Sequence, residues 1–167
     1  MNLTWKMLGL AREYRLFNGR QIIGILKNDF WNRKAYGEFK GFLVRFEHQG
    51  MGKKKAWILD IEGEKVLGTI EFSTSPRSAT ITYDGEGFNW NTLHEKPRGS
   101  WLVGNGEEES RYLAEGSLGS QGKITDAYLP PVVLLAGLYV RGYFLARRVS
   151  ILAGLFFIGL MMGYMAS

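Results

Sequence analysis

Cysteine is absent from the 167 residues. Its absence excludes disulfides, thiol nucleophiles, cysteine-held metals and palmitoylation. Histidine is nearly absent too. His48 follows a strand-like segment and His94 lies in a polar stretch; neither has a partner at catalytic spacing, so both read as loop residues rather than general bases. No His-x-Glu or His-Glu-x-x-His pair occurs, no Gly-x-Ser-x-Gly elbow, and no phosphate-cradling Gly-x-x-x-x-Gly-Lys loop. Gly85-Glu86-Gly87 and Gly104-Asn105-Gly106 open no helix and read as turns. The expectation is a protein with no catalytic residues, no cofactor and no metal.

Acidic residues are missing from the C-terminal forty. All sixteen Asp and Glu fall at or before Asp126, whereas Arg141, Arg147 and Arg148 lie beyond it. That stretch holds two apolar runs, Tyr128 to Val140 and Val149 to Ser167, joined by a bridge carrying the three arginines. The second run is uncharged. A run of ~18 or more apolar residues is a transmembrane candidate, since ~20 residues at ~1.5 Å rise span the hydrocarbon core. The first run is too short and reads as a buried helix. With no convincing signal peptide in MNLTWKMLGLAREYRLF, the expected topology is a single-pass tail anchor. The arginines before the span keep the front domain in the cytoplasm by the positive-inside rule, with Tyr143 and Tyr164 flanking it. The rival is a two-span hairpin, disfavoured because its tight turn would hold three arginines.

The remaining chain has the size of one domain. Its net +5 and pI near 9.5 are no nucleic-acid footprint, because bases and acids are interspersed. Residues 12 to 125 alternate short β-branched and aromatic segments with turns at intervals of about ten residues, which indicates an all-β sandwich or barrel. Asn18-Gly19, Glu62-Gly63 and Asp84-Gly85 supply hairpin turns. Residues 3 to 12 admit a short helix, and Trp5 within them belongs to an interfacial helix, to a first barrel strand or to a helical plug.

Asn18-Gly-Arg-Gln-Ile-Ile-Gly24-Ile-Leu26 matches Glu62-Gly-Glu-Lys-Val-Leu-Gly68-Thr-Ile70 without gaps. The repeat suggests a fold of repeated hairpins whose second glycine marks a bulge or a close backbone approach. These hairpins, the Gly87-Phe88-Asn89-Trp90 strand and the segment from Asp126 to Tyr139 resemble the tubby C-terminal-like superfamily, closest to its LURP-one-related and phospholipid-scramblase-like branch. The resemblance implies a closed antiparallel barrel of about twelve strands around one hydrophobic C-terminal helix. It fits the run from Tyr128, since a helix apolar on every side must be buried all round. Pro130 and Pro131 suit its first turn, with Asp126 or Thr125 as cap. The domain reading is then 1–146 for the barrel with its central helix 128–146, and 147–167 for the transmembrane tail.

Lys53-Lys54-Lys55 is the one basic run. Near a membrane, each Lys or Arg gains roughly 1 kcal/mol from anionic headgroups, and the tubby resemblance implies acidic-phospholipid binding by a basic barrel face. Lys53, Lys54, Lys55, Arg147 and Arg148 are therefore the headgroup candidates. Asp60, Glu62 and Glu64 lead into a turn and Glu107-Glu108-Glu109 reads as a solvated loop; only Asp126 stands where the scramblase-like branch has an acidic segment, so calcium activation is not expected. Gly159 and Gly163 form a Gly-x-x-x-Gly pair for a partner helix. The expected function is a membrane-anchored, non-enzymatic domain binding acidic lipid headgroups or scaffolding at the membrane. Alternatives are an accessory subunit held through the C-terminal helix and a scramblase-like lipid transporter. The partners expected are membrane lipids and a transmembrane protein, with no nucleic acid.

Overall fold

The computed structural model describes residues 3–9, 11–29, 33–50, 54–94, 97, 99–116 and 119–165, with side chains as far as Arg148. Twelve strands follow one another: β1 (Leu3–Leu8), β2 (Glu13–Asn18), β3 (Gln21–Asp29), β4 (Lys34–Phe39), β5 (Phe42–His48), β6 (Lys55–Asp60), β7 (Val66–Thr74), β8 (Arg77–Tyr83), β9 (Glu86–Thr92), β10 (Trp101–Gly104), β11 (Glu109–Glu115) and β12 (Gln121–Thr125). Each pairs antiparallel with its neighbours in sequence, and β1 pairs β12 to close the barrel. Closure removes the exposed edges that a meander would otherwise present. Residues 3 to 12 contribute β1 rather than a helix. Trp5 is a fully buried strand residue, because the alternation Leu3, Trp5 in and Thr4, Lys6 out has the period of a strand.

The turns follow backbone chemistry. Asp84-Gly85 has positive φ at both residues, as a two-residue type I′ hairpin requires. Lys40-Gly41 does the same with a lysine in the left-handed region. Glu62-Gly63 sits in a longer loop, where one Asp60 carboxylate oxygen accepts from Glu64 N at 2.8 Å and Lys65 N at 3.0 Å. The internal repeat is structural: pairing slips between Leu16 and Phe17 opposite β3 and between Ile58 and Leu59 opposite β7. Gly24 and Gly68 face Leu16 and Ile58 at those slips. Both second glycines therefore mark β-bulges.

After β12 the chain turns at Asp126, which has φ +53°, and enters α1 (Pro131–Met165). The Pro130 carbonyl accepts the first helical bond, from Leu134 N at 3.0 Å. Asp126 thus lies in the turn and does not cap the helix. Val132, Val133, Leu134, Leu135, Ala136, Leu138 and Val140 have no exposed surface. Barrel side chains surround every face, and each fully buried large aliphatic contributes ~1.5–3 kcal/mol. Two barrel side chains fix the helix axially: Tyr112 OH donates to Leu134 O at 2.9 Å and Trp90 Nε1 to Gly137 O at 3.1 Å.

The bridge between the two apolar runs is helical, so they form one continuous helix and not a hairpin. There is no break in it between residues 146 and 147. Among the described residues no helix is long and apolar enough to cross a membrane; the uncharged run from Val149 lies outside the residues whose side chains are described, as do Gly159 and Gly163.

Candidate functional site

Because α1 runs antiparallel to β12, it leaves the barrel at the end holding the β1–β2, β3–β4, β5–β6, β7–β8, β9–β10 and β11–β12 connections. The two ends differ in charge. Connections at the opposite end, where the chain turns into α1, carry Glu62, Glu64, Asp84, Glu107, Glu108 and Asp126 against Arg20, Lys40 and Lys65. At the exit end the described connection residues include Arg12, Arg33 and Lys54 and no acid, and Arg147 and Arg148 follow on the emerging helix.

The sequence-derived headgroup residues are divided by this geometry. Lys53 lies outside the described residues. Lys54 is exposed beside β6, with Nζ 3.2 Å from Thr74 Oγ1. Lys55 is the first residue of β6, pointing outward, 3.0 Å from Glu71 Oε1 and 5.5 Å above the Trp57 ring. Its charge is partly answered, so it serves the barrel wall more than the rim. Arg147 and Arg148 are exposed, and Arg147 Nη1 reaches the Tyr143 hydroxyl at 3.4 Å, one helical turn back. Lys54, Arg147 and Arg148 thus share the exit end.

Arg141, which stands in the same bridge by sequence, has a different role. It is 7% exposed, with its guanidinium 5.3 Å from the Trp5 ring and 4.6 Å from the Trp101 ring. It donates to Gly99 O and Gly119 O, each at 2.7 Å. These carbonyls belong to the β9–β10 and β11–β12 connections, so the side chain ties the helix to the barrel mouth. Burial draws this guanidinium below its usual value, while the neighbouring Tyr14 phenol works in the opposite direction. Burial pushes Tyr14 itself above its ordinary range. Sequence gave no sign of this, since an arginine closing an apolar run looks the same whether it meets water or two indoles.

Beside Arg141 opens a cavity of about 570 Å³ between the β9–β10 connection and α1, with Arg77, Trp90, His94, Phe144 and Arg148 in its wall. Arg77 starts β8, and its guanidinium is drawn down first by burial and then by the positive charge of Arg148. Neither arginine makes an ion pair among the described residues. Catalytic geometry is sparse elsewhere. His48 stacks with Tyr143 at 5.4 Å and with Phe72 at 6.0 Å. Among the described residues no cluster of three His, Asp or Glu side chains is arranged to hold a metal ion. No family model matches the chain, and no curated protein or solved structure matches it.

Proposed function

We propose that this protein is a membrane-anchored, non-enzymatic domain, tubby-like in architecture, that binds acidic phospholipid headgroups with the end of the barrel from which α1 emerges. The carrying observation is the coincidence of helix exit and basic rim: the end from which the uncharged run departs is also the end with bases and no acid among its described connections. In this reading the run from residue 149 crosses the bilayer, Arg147 and Arg148 lie at headgroup level, and Lys54, Arg12 and Arg33 meet the surface around them. The closed twelve-strand barrel with its central helix supports the tubby-like assignment. Three rim cations together are worth about 3 kcal/mol toward an anionic surface, a factor of ~100 in affinity.

The test uses a chain stopped after Arg148, which retains every buried side chain among the described residues. It is expected to be soluble and β-rich by circular dichroism, while the full chain resists alkaline extraction from membranes. It should sediment with vesicles containing phosphatidylserine and not with pure phosphatidylcholine, and lose that binding as salt rises. Lys54→Glu with Arg147→Glu and Arg148→Glu should abolish it. Equal binding to both vesicles, or to neither, overturns the reading.

One observation favours the accessory-subunit alternative. Ile22, Phe42, Leu43 and Val66 are exposed near the opposite end of the barrel, facing away from the proposed membrane. A protein partner there would be recovered stoichiometrically when the full chain is purified in mild detergent.

A further inference from the structure

We propose that the cavity between the β9–β10 connection and α1 binds the phosphate of a phosphomonoester, a proposal that rests on the membrane-surface reading above and names its ligand. Three guanidinium groups from separate parts of the fold line it: Arg77 from the start of β8, Arg141 from within the barrel mouth and Arg148 from the emerging helix. They are near enough for Arg148 to depress the proton affinity of both others. The described lining contains no carboxylate. Like charges gathered around a hollow repel one another, and no acid in the described lining relieves it.

The valence of the ligand follows from that count. A phosphomonoester carries about −1.5 to −2 charge at neutral pH with three strong acceptor oxygens. A phosphodiester carries a single negative charge. Planar guanidiniums pair with phosphate oxygens through parallel N–H donors. Arg77 and Arg148 are exposed and make no ion pair among the described residues, so both are placed to close on a dianion. Arg141 is committed to carbonyls and indoles and supplies fixed positive charge behind them.

The rest of the cavity indicates what the phosphate is attached to. Trp90, Phe144 and Leu145 give it an apolar side, and about 570 Å³ exceeds what one bare anion needs by an order of magnitude, a water occupying ≈ 30 Å³ of liquid. Phe144, Leu145 and Arg148 lie on the part of α1 leading out of the barrel, so a ligand seated there stands beside the emerging helix. A lipid with a terminal phosphate satisfies the cationic and the apolar walls together. A soluble phosphomonoester satisfies the cationic wall alone.

The full chain in detergent, observed by native mass spectrometry, separates these cases. It is titrated with phosphatidic acid (a phosphomonoester lipid), with phosphatidylglycerol (a phosphodiester lipid), and with phosphatidylcholine as the neutral control. The expected result is one retained phosphatidic acid, preferred over phosphatidylglycerol by about tenfold or more. Arg77→Gln and Arg148→Gln are each expected to bring that ratio towards one with an unchanged circular dichroism spectrum, while Lys54→Gln leaves it intact. A ratio of one in the unaltered protein, or one that survives both arginine changes, overturns the proposal. If phosphatidic acid and phosphatidylglycerol bind alike, above phosphatidylcholine, and Lys54→Gln weakens both, the cavity proposal falls and the membrane-surface reading stands. If neither exceeds phosphatidylcholine, both fall. Inorganic phosphate as competitor assigns the source: displacement of the lipid at comparable concentration marks a soluble ligand of the same chemistry, and failure to displace it in large excess marks the lipid.

Discussion

At the scale of single residues, the glycines of the internal repeat carry the sharpest prediction. A Cβ on Gly68 would run into the Thr82 carbonyl oxygen, an atom of the neighbouring strand's backbone that cannot swing aside. Gly68→Ala is therefore expected to lower unfolding stability by about 2 kcal/mol or more, read by urea titration. Gly24→Ala should cost less, because a Cβ there meets two side-chain atoms, Phe39 Cδ2 at 2.9 Å and Leu16 Cδ1 at 3.1 Å, and its one backbone neighbour, Glu38 O, stands at 3.0 Å, well beyond the approach of Thr82 O at Gly68. The repeat made these positions legible, since a glycine recurring between aliphatics has no packing reason to be there. Arg141 was illegible for the opposite reason: its partners, Trp5, Trp101, Gly99 and Gly119, are all distant in sequence. His48 gives a pH dependence. Burial holds its imidazole below the usual value, with Arg33 adding to the effect and a bond with the Gly50 backbone opposing it. A base depressed in the folded state favours folding at pH above its unfolded value of about 6.5 and loses that contribution as pH falls from there toward the folded value. Thermal stability should thus fall between neutral and mildly acidic pH, and the slope should flatten in His48→Gln.

Among the elements, α1 is held in the barrel by shape, by the bonds it accepts from Tyr112 and Trp90, and by those that Arg141 donates to Gly99 O and Gly119 O. Tyr112→Phe removes the phenol that donates to Leu134 O and should cost about 1 kcal/mol. Gly137→Leu should cost considerably more, because a Cβ at that position already lies 2.8 Å from the Tyr112 hydroxyl and 3.0 Å from Val103 Cγ2. Both are measurable as shifts in the urea midpoint. The helix was legible because apolarity on every side leaves burial all round as the only soluble solution. Its continuity past Arg148 was not legible, because an arginine-rich bridge is compatible with a turn, a break or an unbroken helix. Strands β1 and β12 were harder still. Met7 and Leu8 blur the alternation of the first, and Gly122 interrupts the second; a Cβ there would strike the Leu113 carbonyl oxygen. The Lys40-Gly41 turn escaped notice because Asn or Asp, not Lys, signals a left-handed first residue.

The whole molecule depends on a pairing between its most distant strands. Leu3 faces Ile124 and Trp5 faces Gly122 where β1 meets β12. Removing residues 1–8 should expose two long edges, uncover Trp101 and abolish cooperative unfolding, visible as loss of near-ultraviolet dichroism. The difference in charge between the two ends belongs to this scale as well. It was hidden in the sequence, where bases and acids alternate along the chain, and emerges only when the hairpin connections are sorted by end. Closure and core are also ordered in time. The segment that fills the barrel follows all twelve strands, so during synthesis the hairpins exist before the material they enclose. Until α1 has been made, Phe46 and Phe72 lack the rings of Tyr139 and Tyr143 that stack on them, and such apolar surfaces are the ones on which aggregation begins. Synthesis is thus expected to leave the inner wall of the barrel uncovered until α1 has been made, and a ribosome that stalls within α1 to leave behind an unfilled shell.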